Sequence, residues 1–194
     1  SDNGGPGYIG LPEVNAPFRG WKITNFEGGL RVPMFVKWPA QIAPGSLVAT
    51  PVTHIDIMPT LANAAQAGMP DGVAIDGVDI LPLLSDTGAA TWHRETLFWQ
   101  SGYYRVVRHG DWKLQISERP NKNWLYNLAI DPTEQTNLAT TEPEKLQALQ
   151  ALLDAHKASA RAPLYPYIIQ APVAVDKTRA AHLEPDDEYI YWPN

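Results

Sequence analysis

The stretch TLFWQSGYYRVVRHGDWKLQISERPNKNWLYNL, Thr96 to Leu128, decides the fold. It contains four short runs rich in aromatic and branched residues with turn-forming residues between them, which is the pattern of consecutive strands. The runs are Thr96 to Trp99, Tyr103 to Arg108, Trp112 to Ser117 and Trp124 to Leu128. His109-Gly110-Asp111, between the second and third runs, is a hairpin signal. The stretch therefore predicts a small four-stranded antiparallel sheet.

A helix is predicted after this sheet. Leu146, Leu149 and Leu153 recur at helical spacing and give one apolar stripe. Thr141, followed three residues later by Glu144, predicts a capping box at the start of the helix. We expect this helix to cover one face of the sheet.

The segments before the sheet predict other structures. Residues 1–20 carry many Gly and Pro residues and predict an extended loop. The apolar run at 34–38 predicts a buried strand that begins after Pro33, because proline cannot donate to a strand ladder. The apolar spacing in 56–67 predicts a helix that ends at Gly68.

Composition excludes several classes of protein. The 194 residues contain no cysteine, so disulfides, thiolate metal sites and cysteine nucleophiles are ruled out. Fifteen Lys and Arg residues stand against 21 Asp and Glu residues, and no basic block is present, which argues against nucleic acid as a partner. No apolar stretch approaches the roughly 18 residues of a membrane helix, and the first residues lack signal-peptide features. We expect a soluble protein.

Two places near the start could carry chemistry. Asp2 and Asn3 supply a carboxylate and an amide oxygen on one turn, and Ca²⁺ and Mg²⁺ prefer oxygen ligands of this kind. Lys22 lies in a glycine-containing loop, where an ammonium group can reach an anionic oxygen. Each feature alone is common on protein surfaces. The residues by themselves are therefore compatible with a binding role and with an ordinary turn or surface lysine.

Taken in order, a series of short motifs resembles the sulfatase family, and arylsulfatases in particular. The likeness runs from residue 1 to about residue 155 with its spacing intact. The motifs are SDNGG at 1–5, APFRGWK at 16–22, FEGGLRVP at 26–33, WP at 38–39, THIDIMPTL at 53–61, IDGVD at 75–79, RHGDWKL at 108–114, LYNL at 125–128, DP at 131–132 and NL at 137–138.

The resemblance implies a fold and its division into parts. Sulfatases have an alkaline-phosphatase-like α/β fold, so residues 1–92 are expected to be the C-terminal part of that catalytic domain, with a remnant of its central sheet. Residues 93–160 are expected to form the four-stranded antiparallel sheet packed by one helix, which by itself is α+β. Residues 161–194 are expected to be a tail rich in Pro and aromatic residues that packs along a surface.

The resemblance also implies roles for individual residues. Asp2 and Asn3 match ligands of the family's Ca²⁺ or Mg²⁺ site, which holds the sulfate oxygens. Lys22 matches the lysine that contacts the transferring sulfate group, where a fixed positive charge stabilises charge that builds up in the transition state. Arg31 is expected to support the loop, and contact with the substrate is the alternative reading.

Other polar residues predict structural roles. His54 and Asp56 belong to a helix start. A solvated acidic tail is predicted at Asp186, Asp187 and Glu188. The alternative is that these carboxylates replace missing metal ligands. The remaining histidines show no metal-binding spacing and predict turn or packing roles; they are His93, His109, His156 and His182.

One departure from the family concerns the nucleophile. Sulfatases use formylglycine, made from a cysteine or serine in a Cys/Ser-x-Pro-x-Arg motif, and this sequence has neither a cysteine nor a Ser-x-Pro-x-Arg. Formylglycine therefore cannot form in this chain. The family's early Asp pair and its middle-region histidines and lysine are also absent. Two expected metal ligands remain, whereas Ca²⁺ takes about six to eight oxygen ligands.

Three functions stay open. The first is an arylsulfatase-like hydrolase of sulfate esters, with phosphate esters as further substrates, represented here by its C-terminal part. The second is a short metal-dependent hydrolase that acts on such esters by itself. The third is a non-catalytic binding or assembly module. In any of them an edge left by the strand at 34–38 would favour a homo-oligomer, with strand exchange as one form.

Overall fold

The computed structural model describes residues 1–85, 94–168 and 170–193, which divide into two compact units. The first unit contains Ser1, Asn3–Pro33 and Glu95–Asn194, and the second contains Asp2 and Met34–Arg94. The helices of the described residues are α1 (Glu27–Leu30), α2 (Ile57–Ala64), α3 (Leu81–Leu84) and α4 (Pro143–Ser159). The strands are β1 (Thr96–Ser101), β2 (Tyr104–His109), β3 (Trp112–Glu118), β4 (Asn121–Asn127), β5 (Gln170–Ala174) and β6 (Tyr189–Pro193).

Strands β1 to β4 form one antiparallel sheet in the order in which they follow one another along the chain. The predicted four-stranded sheet is confirmed. His109 pairs with Trp112, so Gly110 and Asp111 alone make the turn between β2 and β3. Gly110 has φ 58°, a left-handed conformation that glycine adopts without a steric penalty.

Alternate side chains of each strand point to opposite faces of the sheet. Both faces are buried. On one face Leu149 and Leu153 of α4 pack against the sheet, which confirms the predicted helix and its position. That face contributes Val107, Leu114, Ile116 and Leu125. The opposite face carries a second core that includes Phe26 and Ile190, packed against Tyr104, Val106, Trp124 and Tyr126.

The capping box predicted for α4 is wrong. The residue before the helix is Glu142 rather than Thr141, and its side chain makes no capping hydrogen bond. The Thr141 hydroxyl donates instead to the carbonyl of Leu138 at 3.3 Å. Pro143 is the first helical residue, where its fixed φ suits the helix and its missing N–H costs nothing, so the helix begins there.

In the second unit the strand predicted at 34–38 is wrong. These residues form no regular element, and the Phe35 side chain is 91% exposed. A strand requires neighbouring strands to satisfy its N–H and C=O groups, and within the described ranges no segment pairs with it. The predicted helix at 56–67 is present but shorter: a 3-10 turn, His54–Asp56, continues into α2, which ends at Ala64 rather than at Gly68.

The predicted tail contains a second, two-stranded antiparallel sheet formed by β5 and β6. The sequence analysis did not predict this sheet, because Pro172 and Pro193 weaken the strand signal. Val175 and Ile190 are fully buried in the same core as Phe26 and Trp124, so the tail is packed within the first unit. No helix in the described part of the chain is long and apolar enough to cross a membrane.

Candidate functional site

The turn that carries the predicted metal ligands continues directly into a close backbone contact. Asp2 is exposed and Asn3 is partly buried. The N–H of Gly4 donates to the carbonyl of Gly29 in α1 at 3.0 Å. A Cβ on Gly4 would lie 1.8 Å from the carbonyl oxygen of Gly28, so only glycine fits there. The segment that follows Asn3 is thereby seated on α1.

Lys22 lies on a second loop that joins this segment. Its N–H donates to the carbonyl of Gly5 at 3.1 Å. Thr24 closes the loop, because its hydroxyl donates to the Trp21 carbonyl at 2.9 Å and accepts from the Trp21 N–H at 3.0 Å. The structure therefore brings the loops of Asn3 and Lys22 together through their backbones.

Helix α1 supports both loops through its two glycines. A Cβ on Gly28 would lie 2.5 Å from the carbonyl oxygens of Arg19 and Gly20, and a Cβ on Gly29 would lie 2.1 Å from that of Thr24. The Gly28 N–H also donates to the Arg19 carbonyl at 2.6 Å. Residues 27–30 thus form a short helix onto which two backbone segments pack without intervening side chains.

A group of buried charges lies at the start of α1; we call Glu27, Lys113 and Glu134 the Lys113 cluster. Lys113 Nζ lies 2.8 Å from Glu27 Oε1 and 3.0 Å from Glu134 Oε1. The side chains of Lys113 and Glu134 have no exposed surface. Glu134 Oε2 also accepts from the Glu27 N–H at 2.5 Å. Sequence analysis missed this cluster.

The two carboxyl groups of the cluster have opposite pKa shifts. Burial by itself would raise the pKa of Glu27, but the charge and hydrogen bond of Lys113 outweigh it and hold that pKa below its ordinary value. Burial raises the pKa of Glu134 by more than Lys113 and the Glu27 N–H lower it. The nearby Gln115 amide donates to Glu134 at 3.2 Å.

Arg31 lies over the ring of Phe18, with its guanidinium carbon 4.7 Å from the ring centroid. Contacts of this kind stabilise by roughly 0.5–1 kcal/mol at exposed sites. This contact links the end of α1 to the loop at 15–20 and supports the expected role of Arg31 in that loop. Its contact with a substrate stays a prediction.

Asp187 and Glu188 are paired with cations, so the prediction of a solvated tail is wrong for these two residues, whereas Asp186 is exposed. Glu188 bonds Arg19 at 2.6 Å and the Trp124 indole N–H at 2.7 Å, and it also bonds Lys122. Burial would raise the pKa of Glu188, but these hydrogen bonds lower it to about 2. Asp187 forms a salt bridge of 2.7 Å with Lys177. These carboxylates are held by cations of the chain.

Asp56 serves the helix start, as expected. Its carboxylate has no exposed surface and accepts from both terminal nitrogens of Arg94, at 2.7 and 2.6 Å. It also accepts from the N–H groups of Thr53 and Val78, each at 2.9 Å. Asp56 therefore joins three segments of the second unit.

The described histidines make packing or turn contacts, or lie exposed. The ring of His156 stacks on Phe98 with centroids 4.1 Å apart. His109 Nδ1 lies 2.7 Å from the Thr96 hydroxyl, and the His182 side chain is 89% exposed. His93 lies outside the described residues.

The donors at Asp2 and Asn3 suit a hard cation in kind but not in number. Both supply oxygen, whereas Ca²⁺ takes about six to eight oxygen ligands. Among the residues that the structure describes, no three His, Cys, Asp or Glu side chains form a metal-binding group. These two residues could contribute to a coordination sphere but do not complete one.

Comparison with known proteins first defines the class. The chain resembles a solved structure titled "Crystal structure of Ps i-CgsB", with a TM-score of 0.70 and 24% identity over 85% of this chain and 37% of that one, a likeness that concerns the fold. The described residues form a mixed α/β structure, and its structural neighbours are sulfatases of the alkaline-phosphatase-like fold. The chain belongs to the sulfatase family: residues 20–162 match the family model described as N-sulphoglucosamine sulphohydrolase, C-terminal.

Curated relatives support the same family. A sulfatase of Formosa agariphila is 37% identical over 75% of this chain, and human arylsulfatase A is 35% identical over 68% of it. A solved Bacteroides thetaiotaomicron structure (BT33336S-sulf), titled for the metabolism of multiple glycosaminoglycans, has a TM-score of 0.61 and 29% identity over 73% of this chain. The chain spans 29%, 31% and 32% of the lengths of these three proteins, respectively.

Proposed function

We propose that this chain is the C-terminal portion of an arylsulfatase-like hydrolase and supplies part of its sulfate-binding site. The observation that carries the proposal is the joining of the Asn3 and Lys22 loops, through the bond from Lys22 N–H to the Gly5 carbonyl, on a chain that belongs to the sulfatase family. The substrate class is a small sulfate ester, with phosphate esters as further candidates.

In this proposal Lys22 binds an oxygen of the sulfate group. The backbone that carries its side chain is held by a loop closed on both sides, and its ammonium charge would offset negative charge that builds up in the transition state. Arg31 is a further candidate for substrate contact. Both residues act by binding and orienting the anion.

Asp2 and Asn3 are the proposed metal ligands. A divalent cation, Ca²⁺ or Mg²⁺, would supply additional positive charge toward the sulfate oxygens. The formylglycine nucleophile of sulfatases cannot come from this chain, which has neither a cysteine nor a Ser-x-Pro-x-Arg motif. The role assigned to residues 1–194 is therefore anion and cation binding rather than nucleophilic attack.

Binding of inorganic sulfate tests the assignment without requiring turnover. We expect sulfate to shift the amide NMR signals of Asn3 and Lys22 in the purified chain. Lys22→Ala should weaken this response at least tenfold, whereas Lys37→Ala, which removes an exposed lysine of the second unit, should not. Equal binding by all three proteins would reject Lys22 as the anion ligand.

Turnover assays separate this proposal from the second function. The chain is assayed with nitrophenyl sulfate and nitrophenyl phosphate, with and without a chelator. We expect no turnover, because the nucleophile is absent. Turnover that is lost both on chelation and in Lys22→Ala would instead support a hydrolase that acts by itself.

We also propose a homo-oligomer. Large apolar side chains of the second unit are exposed, among them Phe35 at 91% and Leu47 at 93%, and a second copy would bury them. Strand exchange through 34–38 loses its basis, because those residues form no strand. Sedimentation at micromolar concentration is expected to show a dimer that Phe35→Ser together with Leu47→Ser weakens. A monodisperse monomer would contradict the proposal.

A further inference from the structure

We propose that the Lys113 cluster is a positioning device for the sulfate-binding loops, with Lys113 and Glu134 acting on Lys22 and Asn3 through α1. The inference rests on the proposed function for its biological meaning, since it assigns these residues to the same site. It does not place Lys113 in contact with the substrate. Lys113 is a positioning residue whose action passes through a short stretch of backbone.

The first step is the fixing of α1 by the cluster. Glu27 is the first residue of α1, and the cluster holds it twice, through its carboxylate at 2.8 Å from Lys113 and through its N–H at 2.5 Å from Glu134. A helix of one turn has few bonds of its own and does not hold its place without such contacts. Lys113 lies on β3, an inner strand of the four-stranded sheet, so α1 is tied to the most regular part of the unit.

The second step leads from α1 to the loops. Gly28 and Gly29 follow Glu27 directly and contact two backbone segments, the one at Gly4 and the one from Arg19 to Thr24, with no side chain between them. Gly4 N–H bonds the Gly29 carbonyl at 3.0 Å, next to Asn3, and Gly28 N–H bonds the Arg19 carbonyl at 2.6 Å, in the loop that leads to Lys22. Movement of α1 by one ångström would therefore break bonds to both loops.

The cost of the cluster also points to a role. Burying three ionisable groups is expensive, and a well-packed apolar group of similar volume is often as stable or more stable. Glu134 further adopts φ 58°, a left-handed conformation that is disfavoured for a non-glycine residue. The presence of these buried charges is explained if the Lys113 cluster sets the position of α1 rather than adding to the stability of the fold.

Amide hydrogen exchange of the full chain tests the inference, because it reports each bond separately. The test variant is Glu27→Gln, which keeps the shape of the side chain and removes its charge. The matched control is Asp154→Asn, which removes the acid of the 3.0 Å pair with Arg105 between α4 and the sheet. Both variants weaken one ion pair of the first unit, but only the first pair touches α1.

We expect Glu27→Gln to speed exchange about tenfold at the amides of Gly4, Lys22 and Gly28, through local opening of the loops. The reference amides are Leu128 and Leu138, which bond the carbonyls of Asp111 at 2.7 Å and Leu125 at 2.8 Å and should be unchanged. Asp154→Asn should leave the three loop amides unchanged. Equal acceleration at loop and reference amides, or none at the loops, would overturn the inference.

Two further measurements keep the result decisive. If Glu27→Gln does not fold, the variant with Glu27→Gln, Lys113→Met and Glu134→Gln, which leaves no unpaired buried charge, is measured in the same way and judged by the same outcomes. Binding of inorganic sulfate is then compared between wild type and the variant, with about tenfold weakening expected. Failure of the wild-type chain to bind sulfate would reject the proposed function, whereas the exchange result alone decides the positioning role.

Discussion

Arg19 Nη2 lies 2.6 Å from Glu188 Oε2, which joins residues 169 positions apart in the sequence. The same guanidinium forms two bonds of 2.6 Å with Asp176 and donates to the Glu134 carbonyl at 2.7 Å. Arg19 belongs to the loop that leads to Lys22. The C-terminal residues therefore hold one end of the candidate site's loop, although the sequence alone suggests a solvated tail.

This pairing predicts an acid-sensitive contribution to stability. Glu188 has a pKa of about 2 in the folded chain against an ordinary value of 4.5. Because the folded value is the lower one, the ionised carboxylate stabilises the folded state above pH 4.5, and this contribution is lost as the pH falls toward 2. We expect Glu188→Gln to lower the free energy of unfolding by roughly 1–3 kcal/mol at neutral pH and to show a smaller loss on acidification.

Urea unfolding at several pH values checks this prediction. Glu118→Gln is the control, since it replaces an exposed glutamate at the end of β3 that lies outside the Arg19 contacts. The control should retain the acid dependence of the wild type. If the curves of unfolding free energy against pH are parallel for wild type and Glu188→Gln, Glu188 contributes nothing to the acid dependence of stability.

Asp56 gives a prediction for the second unit. Replacement of Asp56 by asparagine leaves Arg94, whose side chain is largely buried, without its negative partner, and breaking a buried pair in this way costs about 3–5 kcal/mol. We expect Asp56→Asn to destabilise by that amount and to speed amide exchange at Ile80, whose N–H donates to Thr60 at 3.0 Å. Asp71→Asn, at an exposed position, should change stability by no more than about 0.5 kcal/mol. Equal denaturation midpoints would contradict the structural role of Asp56.

The sequence could predict the elements whose signals are local. The sheet from Thr96 to Asn127 has branched and aromatic runs between strong turn signals, and α4 has a clear leucine stripe. Asp56 could be assigned to a helix start because its bond to the Thr53 N–H lies within one turn. These features need no knowledge of which distant residues meet.

The remaining features depend on contacts between distant residues. Lys113 lies between strand residues and would ordinarily be taken as solvent-exposed, yet its partner Glu27 is 86 positions away. The apolar run at 34–38 has the composition of a buried strand, but composition cannot show whether neighbouring strands are present. The glycines of α1 signal a turn, and only the approach of Gly4 and Thr24 shows why no side chain is possible there.

Leu149 provides a test of the core beneath α4. Its side chain is 2% exposed and packs against the sheet, so Leu149→Ala should leave a cavity and cost about 2–5 kcal/mol. Leu164→Ala makes the same substitution at a residue that is 89% exposed and should have little effect. Thermal or urea unfolding of both variants measures the difference. A loss of less than 1 kcal/mol in Leu149→Ala would mean that α4 does not anchor the sheet.

The last prediction concerns Gly29, where helix propensity and sterics oppose each other. In a helix interior alanine is favoured over glycine by about 1 kcal/mol, so propensity alone predicts that Gly29→Ala stabilises. The added Cβ would, however, lie 2.1 Å from the Thr24 carbonyl oxygen and 2.6 Å from that of Trp21, and neither backbone group can move aside as a side chain could. We expect the clash to dominate and to displace the loop between Trp21 and Thr24.

Because Lys22 lies within that loop, Gly29→Ala should weaken sulfate binding and speed exchange of the Lys22 amide. Gly68→Ala is the matched control, since a Cβ there meets nothing within 4 Å. Stability and sulfate titrations of both variants decide between the two effects. If Gly29→Ala binds sulfate as the wild type does, the loop tolerates a shift of α1, and the close packing of the glycines does not set the position of Lys22.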